Sequence, residues 1–203
     1  MGFNFKATAA ALCLAVLAAC TVQTEGGGHP NLVVVREFSV SPGIITLDPS
    51  FGFSLYRGSP GVPPTQRAAS VGRAAAFSVA DTIVQQLAAQ GYDVAKSKTA
   101  GAEPAGRALI VSGAFREINE GRRRQVGAEN ARIAVDVELT FQAGSAAPLR
   151  MMSFPVDSQR TAGDSGPGRR GATLNAAADR VGRIIAQTTS DLARLNHWPG
   201  AGQ

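Results

Sequence analysis

The chain has 203 residues, a length suited to one domain, with 20 Lys and Arg against 15 Asp and Glu for a net charge of +5. Cys13 and Cys20 are its only cysteines, which excludes a disulfide framework for everything downstream of residue 20. The two histidines, His29 and His197, have no second His or Cys at ligand spacing, which argues against a metal centre or His-based acid–base chemistry.

Residues 1–6 form a weakly basic opening and 7–17 an apolar run, well short of the roughly 20 residues that span a bilayer as a helix. Small residues then lead into Cys20, the order of a secretory leader. Leu17-Ala18-Ala19-Cys20 resembles a bacterial lipobox, in which the thiol is diacylated before cleavage and the cysteine becomes the first mature residue. That resemblance makes the lipid bilayer the first expected partner, through acylated Cys20. Each buried CH₂ contributes about 0.8 kcal/mol, so the three chains borne by such lipoproteins hold a protein in effect permanently. Thr21 stands where an aspartate would signal inner-membrane retention, so Gram-negative sorting implies the outer membrane, with the domain facing the periplasm. Export removes nucleic acid as a partner for the positive charge and leaves anionic lipid, lipopolysaccharide or an acidic protein surface. Four regions follow: leader 1–19, acylated cysteine and flexible tether 20–30, one α/β domain 31–199, and a disordered tail 200–203. The Gly-rich tether has a typical end-to-end distance of roughly 15–20 Å.

Leu32-Val33-Val34-Val35 continues toward Phe38 and reads as a strand buried on both faces. A Pro/Gly-rich stretch follows to Pro64, with a short strand over 43–47 and alternating apolar residues at Phe51, Phe53 and Tyr56. Loops this long are usually functional or mobile. Thr65 is the expected N-cap of a helix over 66–90, on which Phe77, Ala80, Ile83, Val84 and Leu87 recur at helical spacing and which Gly91 ends. A short strand begins near Tyr92. Residues 108–118 read as a strand with Leu109, Val111 and Phe115 on one parity. Ile133, Val135, Val137, Leu139 and Phe141 alternate strictly with polar residues over 132–142, one face to a core and the other to solvent. Asn119 to Arg124 suits a hairpin connection between these two strands, and 149–156 forms a further strand. A final helix over 172–196 carries Leu174, Ala177, Ala178, Val181, Ile184, Ile185, Thr188, Leu192 and Leu195 on one stripe, with Asp179 placed to pair with Arg183. The fold class expected is α/β, a two-layer sandwich of a mixed four- to five-stranded sheet with two long helices on one face.

Chemistry is harder to find. No G-x-S-x-G elbow and no phosphate-binding glycine pattern follows a strand. Asp136 and Glu138 share one strand face, with Glu117 and Glu120 near in sequence, and a carboxylate pair is the minimum for glycoside hydrolysis. The polar parity of a half-buried strand accounts for them equally well. Arg122, Arg123 and Arg124 form the densest charge cluster, suited to lipid phosphates or an acidic partner, or simply to a soluble hairpin. Phe51, Phe53 and Tyr56 either cover one end of the core or form a contact surface.

The segment 109–122, Leu-Ile-Val-Ser-Gly-Ala-Phe-Arg-Glu-Ile-Asn-Glu-Gly-Arg, resembles a bacterial lipoprotein family described as domain of unknown function 4410. It matches that family's apolar strand leading into G-x-F-x-x-I-x-x-G with arginines after it. Val33-Val34-Val35-Arg36-Glu37-Phe38 and the lipobox agree. The resemblance spans about 32–195 and implies no established activity. The expected function is therefore a membrane-anchored lipoprotein with a non-catalytic binding domain, an accessory or assembly factor of the cell envelope. It is expected to be no enzyme, to need no cofactor or metal, and to have an envelope protein partner, with a second copy of the chain as a further candidate. The alternatives are a cell-wall glycan hydrolase using the carboxylate pair and a self-assembling envelope or secretion subunit.

Overall fold

The computed structural model describes residues 29–49, 62–97, 106–122, 130–159 and 173–198. β1 (Leu32–Arg36) runs between two parallel neighbours, β3 (Val94–Ser97) and β4 (Arg107–Asn119). A parallel strand so placed needs cover on both faces, and Val33, Val34 and Val35 are all buried. The strand stops at Arg36, short of Phe38. Ser39 rejoins β4 through a single parallel bridge to Ala114, and β2 (Ile45–Thr46) pairs with Ile118 and Asn119. Strand, bridge and β2 thus form one interrupted lane along β4. Phe38 still reaches the core, edge-on to Phe115 at 6.1 Å. It occupies the space that Gly113 leaves: a Cβ there would stand 2.6 Å from the Phe38 ring and 2.5 Å from the Asp136 carbonyl oxygen.

β4 pairs antiparallel with β5 (Arg132–Ala143), and β5 with β6 (Leu149–Asp157), giving the order β3-β1-β4-β5-β6. In β5 the alternation holds over Ile133, Val135, Val137 and Leu139, all in the core. β4 keeps its parity through Phe115, where a bulge before Glu117 shifts the register and turns Ile118 inward. Strict alternation would have buried the Glu117 carboxylate instead. β6 is an outer strand, with Pro155 opposite Asp136 and a second register shift opposite Leu139 and Thr140.

α1 (Pro64–Ala89) and α2 (Leu174–Leu195) pack on one face of this sheet, as the amphipathic spacing predicts. α1 begins one residue before the expected cap. Pro64 is its first residue and Pro63 its N-cap with no side-chain hydrogen bond, since proline's fixed φ is already helical. Its buried stripe is Gly72, Ala75, Ala76, Val79, Ala80, Ile83 and Leu87. Phe77, expected on that stripe, is 61% exposed, with Lys96 Nζ 3.6 Å from its ring centre. Small residues let α1 lie close to the sheet, leaving a phenyl ring no room beneath. α2 has Thr173 as N-cap, accepting from Ala176 N–H at 3.2 Å. Leu195, read as the last stripe residue, is 75% exposed, because the buried face turns through Gly182, Thr189 and Ala193. A Cβ on Gly182 would lie 2.6 Å from Thr82, so this glycine sets the approach of the two helices. Asp179 accepts from Thr82 Oγ1 at 3.1 Å, while Arg183 Nε donates to the Asp179 carbonyl oxygen and not to its carboxylate.

Candidate functional site

The outward face of β4, β5 and β6 carries the carboxylates singled out above. Asp136 Oδ1 lies 3.0 Å from Arg116 Nε, and Glu138 Oε1 lies 2.7 Å from Arg150 Nε, all four side chains at least one-third exposed. Two positions along a strand separate their Cα atoms by roughly 7 Å. They project from one face of the strand, but each carboxylate already accepts from a guanidinium. Beside Glu138 a 410 Å³ cleft is lined by Arg36, Ile110, Ser112, Thr140, Gln142 and Arg150. Arg36 Nε is buried in the sheet without a hydrogen-bond partner.

The end of the sandwich that carries residues 119–122 is closed by ion pairs. Arg67, at the start of α1, pairs with Glu120 and donates to the Asp48 carbonyl oxygen at 3.3 Å, while Asp48 N–H donates to Glu120 Oε2 at 2.8 Å. Glu120 therefore ties α1, the end of β4 and the chain after β2 together. Arg132 lies 2.6 Å from Asp157 and 3.1 Å from Glu117. Its guanidinium is held charged beyond the ordinary arginine range, first by the Asp157 hydrogen bond, then by the charges of Asp157 and Glu117. Glu117 and Glu120, carboxylates near the pair in sequence, are thus parts of structural ion pairs. Arg122 is exposed beside Gly121, while Arg123 and Arg124 lie outside the described residues. So do Cys20, Phe51, Phe53 and Tyr56.

The opposite end is hollow. Both helices finish there with the same capping motif. After α1, Gly91 N–H donates to Ala88 O at 2.9 Å and Tyr92 N–H to Leu87 O at 3.1 Å, with Gly91 at φ 85°. After α2, His197 N–H donates to Arg194 O at 3.1 Å and Trp198 N–H to Ala193 O at 2.9 Å, with His197 at φ 53°. Each motif delivers an aromatic ring to the same place. Tyr92 and Trp198 line a cavity of about 330 Å³ together with Leu32, Val33, Leu109 and Ala193. Trp198 also stacks on Phe141 at 6.3 Å, and Tyr92 Oη and Ser190 Oγ lie 3.4 Å apart as a weak hydrogen bond. His29, Asn31 and Asp93 add polar groups to the lining, and buried Thr189 turns its hydroxyl to the Ile185 carbonyl oxygen at 2.8 Å. His29 and Pro30, where the described chain begins, form part of the wall. Sequence reading missed this cavity. The readable signal was Gly91-Tyr92 directly after a helix; His197-Trp198 lacks the glycine that marks such an ending.

Among the described residues no group of three His, Cys, Asp or Glu side chains could hold a metal ion, and no helix is long and apolar enough to cross a membrane. No curated protein matches the chain. Several solved structures are distantly similar. A Helicobacter pylori protein described as a neuraminyllactose-binding hemagglutinin homolog is 17% identical, over 82% of this chain and 94% of that one, with a TM-score of 0.42. A Xanthomonas campestris protein of family DUF330 is 13% identical, over 84% of this chain and 91% of that one, also at 0.42. A hypothetical protein of Chlamydia trachomatis is 11% identical, over 83% of this chain and 97% of that one, at 0.35. At these identities and TM-scores nothing about activity follows from them. The family model described as "Domain of unknown function (DUF4410)" matches residues 33–148, more than half of the sequence, and the chain belongs to that family.

Proposed function

We propose that the chain is a lipid-anchored envelope protein whose domain works by binding, not by catalysis, as an accessory or assembly factor at the periplasmic side of the outer membrane. The observation that carries this reading is one of placement. His29 and Pro30, just ahead of β1, line the apolar cavity. Cys20, the cysteine of the lipobox-like run, precedes that point by only nine positions. A tether that short favours the hollow end facing the bilayer to which the cysteine would be fixed. Arg122, beside the ion-paired end of the sandwich, is then turned away from the lipid, toward a soluble partner, with Arg123 and Arg124 next to it in sequence. Phe51, Phe53 and Tyr56 are further candidates for that contact.

Membrane fractionation tests the anchor. Cys20→Ala is expected to leave the domain folded, by circular dichroism, and to release it from membranes. Retention of the variant with lipid at high salt overturns the acyl-anchor reading, as does an unmodified sulfur in the mass of the native N-terminal peptide. The non-catalytic part is tested separately by glycan turnover with Asp136→Asn and Glu138→Gln. Activity in the wild type that both substitutions abolish would make the protein a hydrolase.

A further inference from the structure

The cavity between the two helix ends has properties that narrow its occupant. About 330 Å³ lies at the low end of the roughly 300–1,000 Å³ typical of small-molecule pockets. Its inner wall is aliphatic and aromatic, from Leu32, Val33, Leu109, Ala193, Tyr92 and Trp198. Such a space takes one unbranched hydrocarbon chain and is too small for a two-chain lipid body.

Charge at the mouth constrains what the chain is attached to. Asp93 stands at the rim and is exposed. Both α1 and α2 point their C-terminal carbonyls at this end, and a helix C-terminus carries about half a negative charge. Among the residues lining the cavity only His29 can add positive charge, and Arg194 in the last turn of α2 already pairs with Asp191. An anionic headgroup held there is repelled by a carboxylate and two negative helix ends; an uncharged headgroup is not, and an ammonium group is attracted.

We infer that the cavity between the C-terminal ends of α1 and α2 binds a single acyl chain of a bilayer lipid whose headgroup is uncharged or carries an ammonium group. The source follows from the proposed anchor, on which this inference rests: a tether with a typical reach of roughly 15–20 Å keeps the mouth near the membrane, where acyl chains are the dominant apolar species. The binding chemistry itself does not need the anchor.

Trp198 is the single tryptophan of the chain and lines the site, so its emission reads occupancy directly. Full-length Cys20→Ala protein is titrated with 12-bromododecanol below its aggregation limit, the bromine quenching Trp198 on contact. Expected are saturable quenching at one probe per protein and clearly weaker binding of 12-bromododecanoate. Leu32→Phe narrows the half-buried wall, and Ala193→Leu fills the cavity from α2. Either is expected to weaken binding at least about tenfold, some 1.4 kcal/mol, with the far-ultraviolet spectrum retained. Two independent filling variants guard against one failing to fold. Absence of saturable quenching, or quenching untouched by both variants, overturns the site. Equal binding of the carboxylate overturns the headgroup assignment.

Acylated wild-type protein in vesicles of phosphatidylethanolamine with dibrominated chains then tests the source. Quenching that Leu32→Phe removes supports bilayer lipid, and its absence while the free alcohol binds assigns the cavity to another ligand. Because the first titration uses unanchored protein, loss of membrane attachment in the second arm counts against the anchor and leaves the cavity result standing.

Discussion

The two ends of this sandwich are closed by different means. At one, Arg67, Glu120 and Asp48 tie α1, the end of β4 and the chain after β2 together, beside the ion pairs of Arg132 with Asp157 and Glu117. At the other, two helix caps swing Tyr92 and Trp198 inward and leave a cavity between them. Paired charges fix a geometry because leaving one unpaired is unfavourable, so the first end is suited to holding the fold. Aromatic rings around a void tolerate several arrangements, so the second is suited to admitting a ligand. One fold separates stability from binding by placing them at opposite poles.

Core truncations offer the largest contrast. Ile133→Ala, fully buried next to the Arg132 network, is expected to destabilise by about 4 kcal/mol. Leu109→Ala, equally buried but already lining the void, is expected to lose only about 2–3 kcal/mol, having fewer contacts to forfeit. Equal losses in chemical denaturation would mean that the hollow end is packed as tightly as the other. Next, Glu120→Ala removes the carboxylate that pairs with Arg67 and accepts from Asp48 N–H, and about 2–3 kcal/mol is expected, less than for a fully buried pair because both side chains keep some exposure. Replacing the pair by Arg67→Met with Glu120→Leu should recover most of that loss; no recovery would show that the hydrogen bond to Asp48, not the pair, is what matters. His197→Gly should stabilise by about 0.5–1 kcal/mol, since φ 53° favours glycine there. A loss instead would mean that the imidazole makes a contact worth more than the backbone strain. Smallest, Asp136→Asn with Glu138→Gln should stay within about 0.5 kcal/mol, their arginine partners being exposed.

Much of the fold was legible because its signals are local. The alternation of Ile133 to Leu139 placed β5 in register with its core face, and Gly91 marked the end of α1 without any knowledge of its neighbours. Phe77 failed because period alone cannot say which of two apolar arcs faces the sheet. The answer came from the size of Ala75, Ala76 and Ala80, which permit close approach. Glu117 would have been misplaced by strict alternation, since a bulge is a property of a strand pair and not of one strand. The site was the least legible part. Leu32, Tyr92, Leu109 and Trp198 come from four distant stretches, and only the topology that aligns the ends of α1 and α2 with the starts of β1 and β4 brings them together.

The outermost strands bear on the proposed anchor. A protein fixed to a membrane diffuses in two dimensions and meets its own copies often, so an unsatisfied sheet border would be a standing invitation to stack. Among the described residues β3 has four, one of them Lys96. β6 is longer, but Pro155 removes a donor from its ladder and a register shift bends the rest. Neither described margin makes a good template for edge-to-edge growth of the kind a flat, regular border would seed.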